Sequence, residues 1–383
     1  MKRFQFSAPT KVIGGAGVVA EVGEVVRSLE GHRALVVTDT GVVGAGLVAP
    51  VLDALKSAGV LATVFDEVKP DPTVEVVSRG AELVRQGGCD LLVAVGGGSS
   101  IDAAKGISVV AANGGSIGDY EGVNKYTKRP VPIIAIPTTA GTGSEVTFGA
   151  VLTDEARNYK FIVYGDTLVP RAALLDPKMV VGAPASVKVP TGMDALTHAI
   201  ESYTSLGASP QTEALALYAI RLVSADLRRF VSSTEDLEAA WHMLVAANVA
   251  GIGFALSRLG IVHAAALPLG AFFHVPHGVA CTVLLPHGMR FNQGAAAFKY
   301  RDIARAMGED VDGLSVADAA LVAVQAVERL SRDIGAPSRL RDLGVKSDKV
   351  PQMALDAMKS GHIPANPRPI TVEDIESLYR DAM

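Results

Sequence analysis

The stretch DLLVAVGGGSSIDAAKGISVVAANGG, residues 90–115, decides the fold. Its first half is a short apolar run ending in three glycines, which reads as a buried strand. Its second half carries apolar residues at helical spacing. Backbone N–H groups at the opening of such a helix, with glycines that admit close approach, form a phosphate site. The spacing differs from GxGxxG, and a Gly-rich strand–helix turn also occurs for packing alone.

Working outward, the same alternation recurs through the first half of the chain. HRALVVTDTG, LATVFDEV, VPIIAIPTT, KFIVYGD and AALLDP read as strands, and VAPVLDALKSAG and VEVVSRGAELVRQGG as helices. Strand–helix alternation predicts parallel pairing with right-handed crossovers. A second loop, PTTAGTGSEVT (137–147), follows a strand with five hydroxyl side chains and two glycines. It suits cofactor phosphates and ribose, though a plain turn has the same composition. Asp39 ends the VVTD strand, where an acidic residue bonds a ribose 2′-OH and repels a 2′-phosphate. The bland alternative is that it caps the following turn.

After about residue 182 strand signals nearly vanish. VKVPTGMDALTHAIESYTS, TEALALYAIRLVSADLRRFV and LEAAWHMLVAANVAGIGFAL are Ala- and Leu-rich at helical spacing. The expected organisation is an α/β dinucleotide-binding domain over 1–182, then an all-helical domain over 183–383. The length of 383 residues also favours two domains.

The chemistry sits in the helical half. Asp194 and His198 are four residues apart, so on a helix they share a face. His263 and His277 flank Pro276, which predicts two separate elements. Of eight histidines, four fall between 263 and 287, against the ordinary case of a lone hydrogen-bonded core histidine. Three imidazoles and a carboxylate suit Fe²⁺ or Zn²⁺. His274 could face the same cavity, whereas His32, His242 and His287 lack such company.

A net charge of −5 without a basic block argues against nucleic acid. MKRFQFSAPTKVIGG lacks a secretory apolar region, and no run approaches ~18 uninterrupted apolar residues, so no membrane span and a cytoplasmic location are expected. The two cysteines, Cys89 and Cys281, read as buried free thiols.

Taken in order, GGGSSIDAAK, PTTAGTGSEVT, TGMDALTHAIESY, IVHAAALPLGAFFHVPHG and NPRPITVEDIESLY resemble the iron-containing (group III) alcohol dehydrogenases nearly end to end. The resemblance implies a Rossmann-like parallel-sheet domain, an all-α domain and a cleft between them, the dehydroquinate-synthase-like architecture. It implies Asp194, His198, His263 and His277 as metal ligands. Asp39, Gly97, Gly98, Ser99, Asp102, Thr138, Thr139, Thr142, Thr147 and Lys160 match cofactor-contacting positions. It further implies hydride transfer between NAD, rather than NADP, and a small alcohol or aldehyde, and a homodimer. A zinc polyol dehydrogenase, a dehydroquinate-synthase-like lyase and a silent binding protein are the alternatives. Two departures stand out. Leu267 occupies the position where many relatives carry a proton-relay histidine, so either the relay is absent, solvent does the job, or another group, His274 or His362, supplies a route. Arg258 replaces a small or amide side chain; pointing inward it would hold an anionic substrate group, and pointing outward it is a surface residue.

Overall fold

The computed structural model describes residues 3–157 and 159–383. The chain divides into two compact units, Ser7–Ala183 and Pro184–Met383, with residues 3–6 grouped with the second.

The first unit contains β1 (Lys11–Gly14), β2 (Arg33–Val37), β3 (Leu61–Phe65), β4 (Leu91–Gly96), β5 (Gly122–Val123), β6 (Ile133–Pro137), β7 (Gly149–Asp154), β8 (Tyr159–Tyr164) and β9 (Ala172–Leu175). Its helices are α1 (Val22–Ser28), α2 (Thr40–Gly44), α3 (Ala49–Ser57), α4 (Val74–Gly87) and α5 (Gly98–Asn113). Six strands form a parallel sheet in the order β1-β9-β6-β4-β2-β3. Alternate residues of β2 and β4 serve opposite faces. Leu35, Val37, Leu92 and Ala94 pack with Val77, Val84 and Ile107 of α4 and α5. Val36, Val93 and Val95 pack with Val26, Val51 and Leu55 of α1 and α3. A sheet covered on both faces explains why β4 reads as a continuous apolar run. Each fully buried Leu or Val contributes roughly 1.5–3 kcal/mol relative to exposure.

KFIVYGD, as β8, does not join the parallel sheet. It pairs antiparallel with β7 and parallel with β5 in a separate three-stranded sheet. The β7 partner, GAVLTD, follows its loop too closely for alternation alone to identify.

The second unit is helical, with no strand among the described residues: α6 (Ala185–Thr204), α7 (Pro210–Ser232), α8 (Leu237–Ser257), α9 (Ile261–Phe273), α10 (His277–Asn292), α11 (Ala297–Ala306), α12 (Val316–Asp333), α13 (Val350–Ala357) and α14 (Val372–Asp381). Helix α6 is buried from Gly192 to Thr204 and packs against α7, α8 and α10. Among the described residues α8 alone is long and apolar enough to cross a membrane, and over half of its apolar stretch is buried in the unit. Its hydrophobicity is used in packing against α6 and α7.

Candidate functional site

In the first unit, the carboxyl ends of β2, β4 and β6 bring three sequence motifs together. Gly97 is the N-cap of α5 and offers no side chain, so the first N–H groups of that helix have no side-chain acceptor. Glycine is needed here for space. A Cβ on Gly97 would lie 3.2 Å from Thr139 Cγ2, and one on Gly98 would lie 2.8 Å from Thr142 Cγ2. The 96–99 loop and the 138–142 loop therefore touch. Asp39 accepts the Val42 N–H at 3.0 Å as the N-cap of α2, and its other oxygen accepts the Ser100 hydroxyl at 3.3 Å. Asp39 both caps its turn and stands beside the glycine loop.

Asp102 and Thr147 turn into the protein. Asp102 accepts the Ser144 hydroxyl and the Val151 N–H, at 2.5 and 2.9 Å. Thr147 accepts from Lys105, whose ammonium also reaches Ser144 and the Gly149 carbonyl. Lys105 is fully buried. Burial pushes its pKa down, opposed by the charge of Asp102. Sequence reading missed Lys105, although Asp102 three residues earlier in DAAK was the available signal. Thr138 is buried at the end of β6, Ser99 is half-buried in the first turn of α5, and Lys160 pairs with Asp71 at 2.6 Å.

In the second unit, Asp194 and His198 lie one turn apart on α6. His263 lies on α9, and His277 is the first residue of α10, with Pro276 as its N-cap. Around Asp194 Oδ1 stand the Nε2 atoms of His263 at 3.6 Å, His198 at 3.8 Å and His277 at 3.8 Å. These are too long for hydrogen bonds. They sit at or slightly beyond the spacing of two donors on one tetrahedral ion, which at metal–ligand distances of ~2.0–2.2 Å stand roughly 3.3–3.6 Å apart. Asp194 Oδ1 and His263 Nε2 are buried without a hydrogen-bond partner. Each such orphan costs about 1–3 kcal/mol, and a cation between them would satisfy both. The residues present thus fit a metal. Burial alone would raise the Asp194 pKa, but His198, His263 and His277 hold it well below the usual carboxylate range. His277 is 41% exposed, so the cluster reaches solvent on that side.

Three close approaches fix this geometry. Phe254 stacks on His198 at 4.3 Å, and the His198 and His263 rings stack at 4.6 Å. Gly278 lets α10 approach α6: a Cβ there would lie 2.6 Å from the Pro190 carbonyl oxygen.

Glu201, one further turn along α6, escaped the sequence reading. Its carboxylate receives the His263 Nδ1–H at 2.6 Å and the backbone N–H groups of Val262 and His263 at 2.7 and 3.2 Å. Asn366 accepts the Ile261 N–H at 3.1 Å and exchanges two bonds with Asn292. The first turn of α9, which lacks a local side-chain cap, is therefore capped by two distant residues. With Nδ1 donating to Glu201, Nε2 of His263 carries the lone pair that faces Asp194. Burial pushes the Glu201 pKa up, but the bonds from His263 and the α9 N–H groups hold it below normal. The signal was present in sequence as Asp194, His198, Glu201, the i, i+4, i+7 face of one helix.

The remaining candidates separate. His362 stands 6.2 Å from His263, ring to ring, and its Nδ1 accepts the Leu259 N–H at 3.3 Å. His274 ends α9 in the left-handed region, φ 55°, and is exposed. Leu267 is half-buried one turn after His263. Arg258 is exposed and donates to the Gly361 carbonyl at 3.3 Å, tying the 361 loop down. Both cysteines are free. Cys281, the buried free thiol that the sequence reading expects, has its sulfur 3.6 Å from His277 Nε2. Burial pushes that thiol's pKa up, and His277 and His263 more than offset it.

Comparison with known proteins covers almost the whole chain. Residues 9–177 match the iron-containing alcohol dehydrogenase model, and residues 188–383 match the C-terminal model of the Fe-containing alcohol dehydrogenase family. A 1,3-propanediol dehydrogenase of Citrobacter freundii is 43% identical over 383 residues, covering 100% of this chain and 99% of the relative. An NAD-dependent methanol dehydrogenase of Bacillus methanolicus is 41% identical, covering 99% of each. The crystal structure of a 1,3-propanediol oxidoreductase superposes with a TM-score of 0.98 at 42% identity, covering 100% of both chains.

Proposed function

The chain belongs to the iron-containing alcohol dehydrogenase family and is an oxidoreductase of alcohols and aldehydes, and from that premise we propose a metal-dependent enzyme passing hydride between NAD(H) and a short alcohol or its carbonyl. Asp194, His198, His263 and His277 hold the ion. The observation that carries this reading is the convergence of three imidazole nitrogens on one buried carboxylate oxygen at 3.6–3.8 Å. A divalent ion bound there supplies Lewis acidity to a substrate oxygen and lowers the pKa of a hydroxyl. Fe²⁺ is the ion the family name points to, and the same donors accept Zn²⁺. The proposal includes a homodimeric, cytoplasmic enzyme.

The chain's own residues do the rest. Glu201 fixes the tautomer and ring plane of His263. Gly97, Gly98 and Ser99, at the uncapped start of α5, receive the cofactor pyrophosphate. Thr138, Thr139 and Thr142 supply hydroxyls beside it. Asp102 and Thr147 brace these loops through Lys105, and Lys160, paired with Asp71, is a further cofactor contact. Asp39 takes the ribose 2′-OH and repels a 2′-phosphate.

Asp39→Asn tests that last role cleanly, because Asn caps a helix about as well as Asp. NADP use, measured as kcat/KM, is expected to rise roughly tenfold, about 1.4 kcal/mol, with little loss of stability. An unchanged NAD-to-NADP ratio would remove Asp39 from cofactor selection.

In place of a histidine at Leu267, His362 is the residue that handles the substrate proton, with His274 as its alternative. Burial, then the neighbouring His263, lowers the His362 pKa to about 4. It is neutral through the working range, with Nε2 as its N–H. Between pH 6.5 and 4 the unfolded chain binds the proton that folded His362 refuses, so stability falls as pH falls across that window. His362→Gln is expected to flatten that decline in melting temperature and to shift the pH–rate profile. If neither His362→Gln nor His274→Ala moves the profile, the proton leaves through solvent.

The reaction class is tested by NAD⁺ reduction and NADH oxidation on short alcohols, diols, hydroxyacids and their carbonyls. The names of the relatives support short alcohols and diols as the productive members. Tight NAD and metal binding with no turnover on any of them would sink the dehydrogenase reading.

A further inference from the structure

Cys281 lies outside the four donors named above, yet it belongs to the same cluster. Its thiol is completely buried. Helix α10 begins at His277, so one turn later the side chain of Cys281 returns to the same face. Its sulfur is 3.6 Å from His277 Nε2. Donor atoms of Asp194, His263, His277 and Cys281 all lie within 4.8 Å of one another. Donors opposite one another on a single ion, at ~2.0–2.3 Å from it, stand about 4.6 Å apart, so this set closes on one centre with a shift of a few tenths of an ångström, as one of five donors once His198 is counted.

We propose that Cys281 is a sulfur donor to the metal of this site, and that it moves the site's preference from Fe²⁺ toward Zn²⁺. The proposal rests on the metal reading above and adds a ligand to it. The sulfur binds as thiolate: the S–H bond breaks, the proton passes to solvent, and the freed electron pair makes the bond to the ion. No oxidation state changes. A soft thiolate favours Zn²⁺ more than an all-nitrogen-and-oxygen set does. The competing account is a bystander thiol resting against His277.

Co²⁺ is the probe that separates them, used in a Cys89→Ser background so that Cys281 is the one remaining thiol. The stripped protein loaded with Co²⁺ is expected to give visible d–d bands and a near-ultraviolet thiolate-to-cobalt charge-transfer band. The charge-transfer band disappears in Cys281→Ser and Cys281→Ala while the d–d bands persist in altered form. In chelator competition those variants hold Zn²⁺ at least roughly tenfold more weakly, the smallest loss found even for residues that only support a ligand, and their Fe²⁺ affinity moves less. Bound Co²⁺ with d–d bands and no charge-transfer band, unchanged in the variants, overturns the role of Cys281 and leaves the metal reading standing. Absence of any Co²⁺ binding overturns both. The spectrum of the protein retaining Cys281 decides the matter even where a variant folds poorly.

Discussion

Asp194→Asn is expected to abolish metal retention and, with it, alcohol oxidation. One oxygen of Asp194 faces three imidazole nitrogens. Without a carboxylate the four named donors become three neutral rings and an amide, leaving the Cys281 thiolate proposed above as the one negative charge near a divalent ion. The loss of affinity should exceed the ~100-fold that removing an outer supporting residue can cost, and turnover should fall at least as far. The substitution preserves shape but removes a charge that His198, His263 and His277 stabilise in the fold, so the metal-free protein should lose stability as well. Metal content after dialysis, kcat and the denaturation midpoint measured together make the test. A variant that keeps stoichiometric metal and turnover contradicts the assignment.

Glu201 carries the second large effect, and it divides between folding and chemistry. Glu201→Ala removes the acceptor for the His263 ring and for two N–H groups at the start of α9. Leaving these buried N–H groups without an acceptor costs about 1–3 kcal/mol each. Glu201→Gln keeps an acceptor oxygen and most of the volume but loses the charge that orients and polarises His263. It is expected to fold with a smaller loss and to bind metal 10–100-fold more weakly. The contrast identifies a positioning residue: a merely structural Glu201 would lose stability in both variants while metal affinity in the surviving fold stayed constant. Chemical denaturation and chelator competition on the two variants read the two effects separately.

What could be read in the sequence follows the range of the interactions. Asp194 and His198 were visible because one helix sets their spacing. The glycine loop was visible because strand, glycines and helix follow each other directly, and that continuity is the β4–α5 unit. Glu201 was equally local, but a glutamate on a helix ordinarily faces water, and only the docking of α9 makes it a buried acceptor. Cys281 repeats the lesson one turn after His277. Other features depend on residues distant in sequence. The bond that orients His362 comes from Leu259, and Asp102 is turned inward by Ser144 and Val151. The antiparallel β7–β8 pair could not be inferred from a rule about parallel alternation.

The His₃Asp cluster is the proposed seat of the ion on which NAD-linked alcohol oxidation depends. It is tested most directly by titrating Fe²⁺ or Zn²⁺ into fully stripped protein while following NAD⁺ reduction on a short alcohol or diol. Negligible activity without metal, recovery that saturates at one ion per chain, and no recovery in Asp194→Asn are expected. Stripped protein as active as reloaded protein would contradict it.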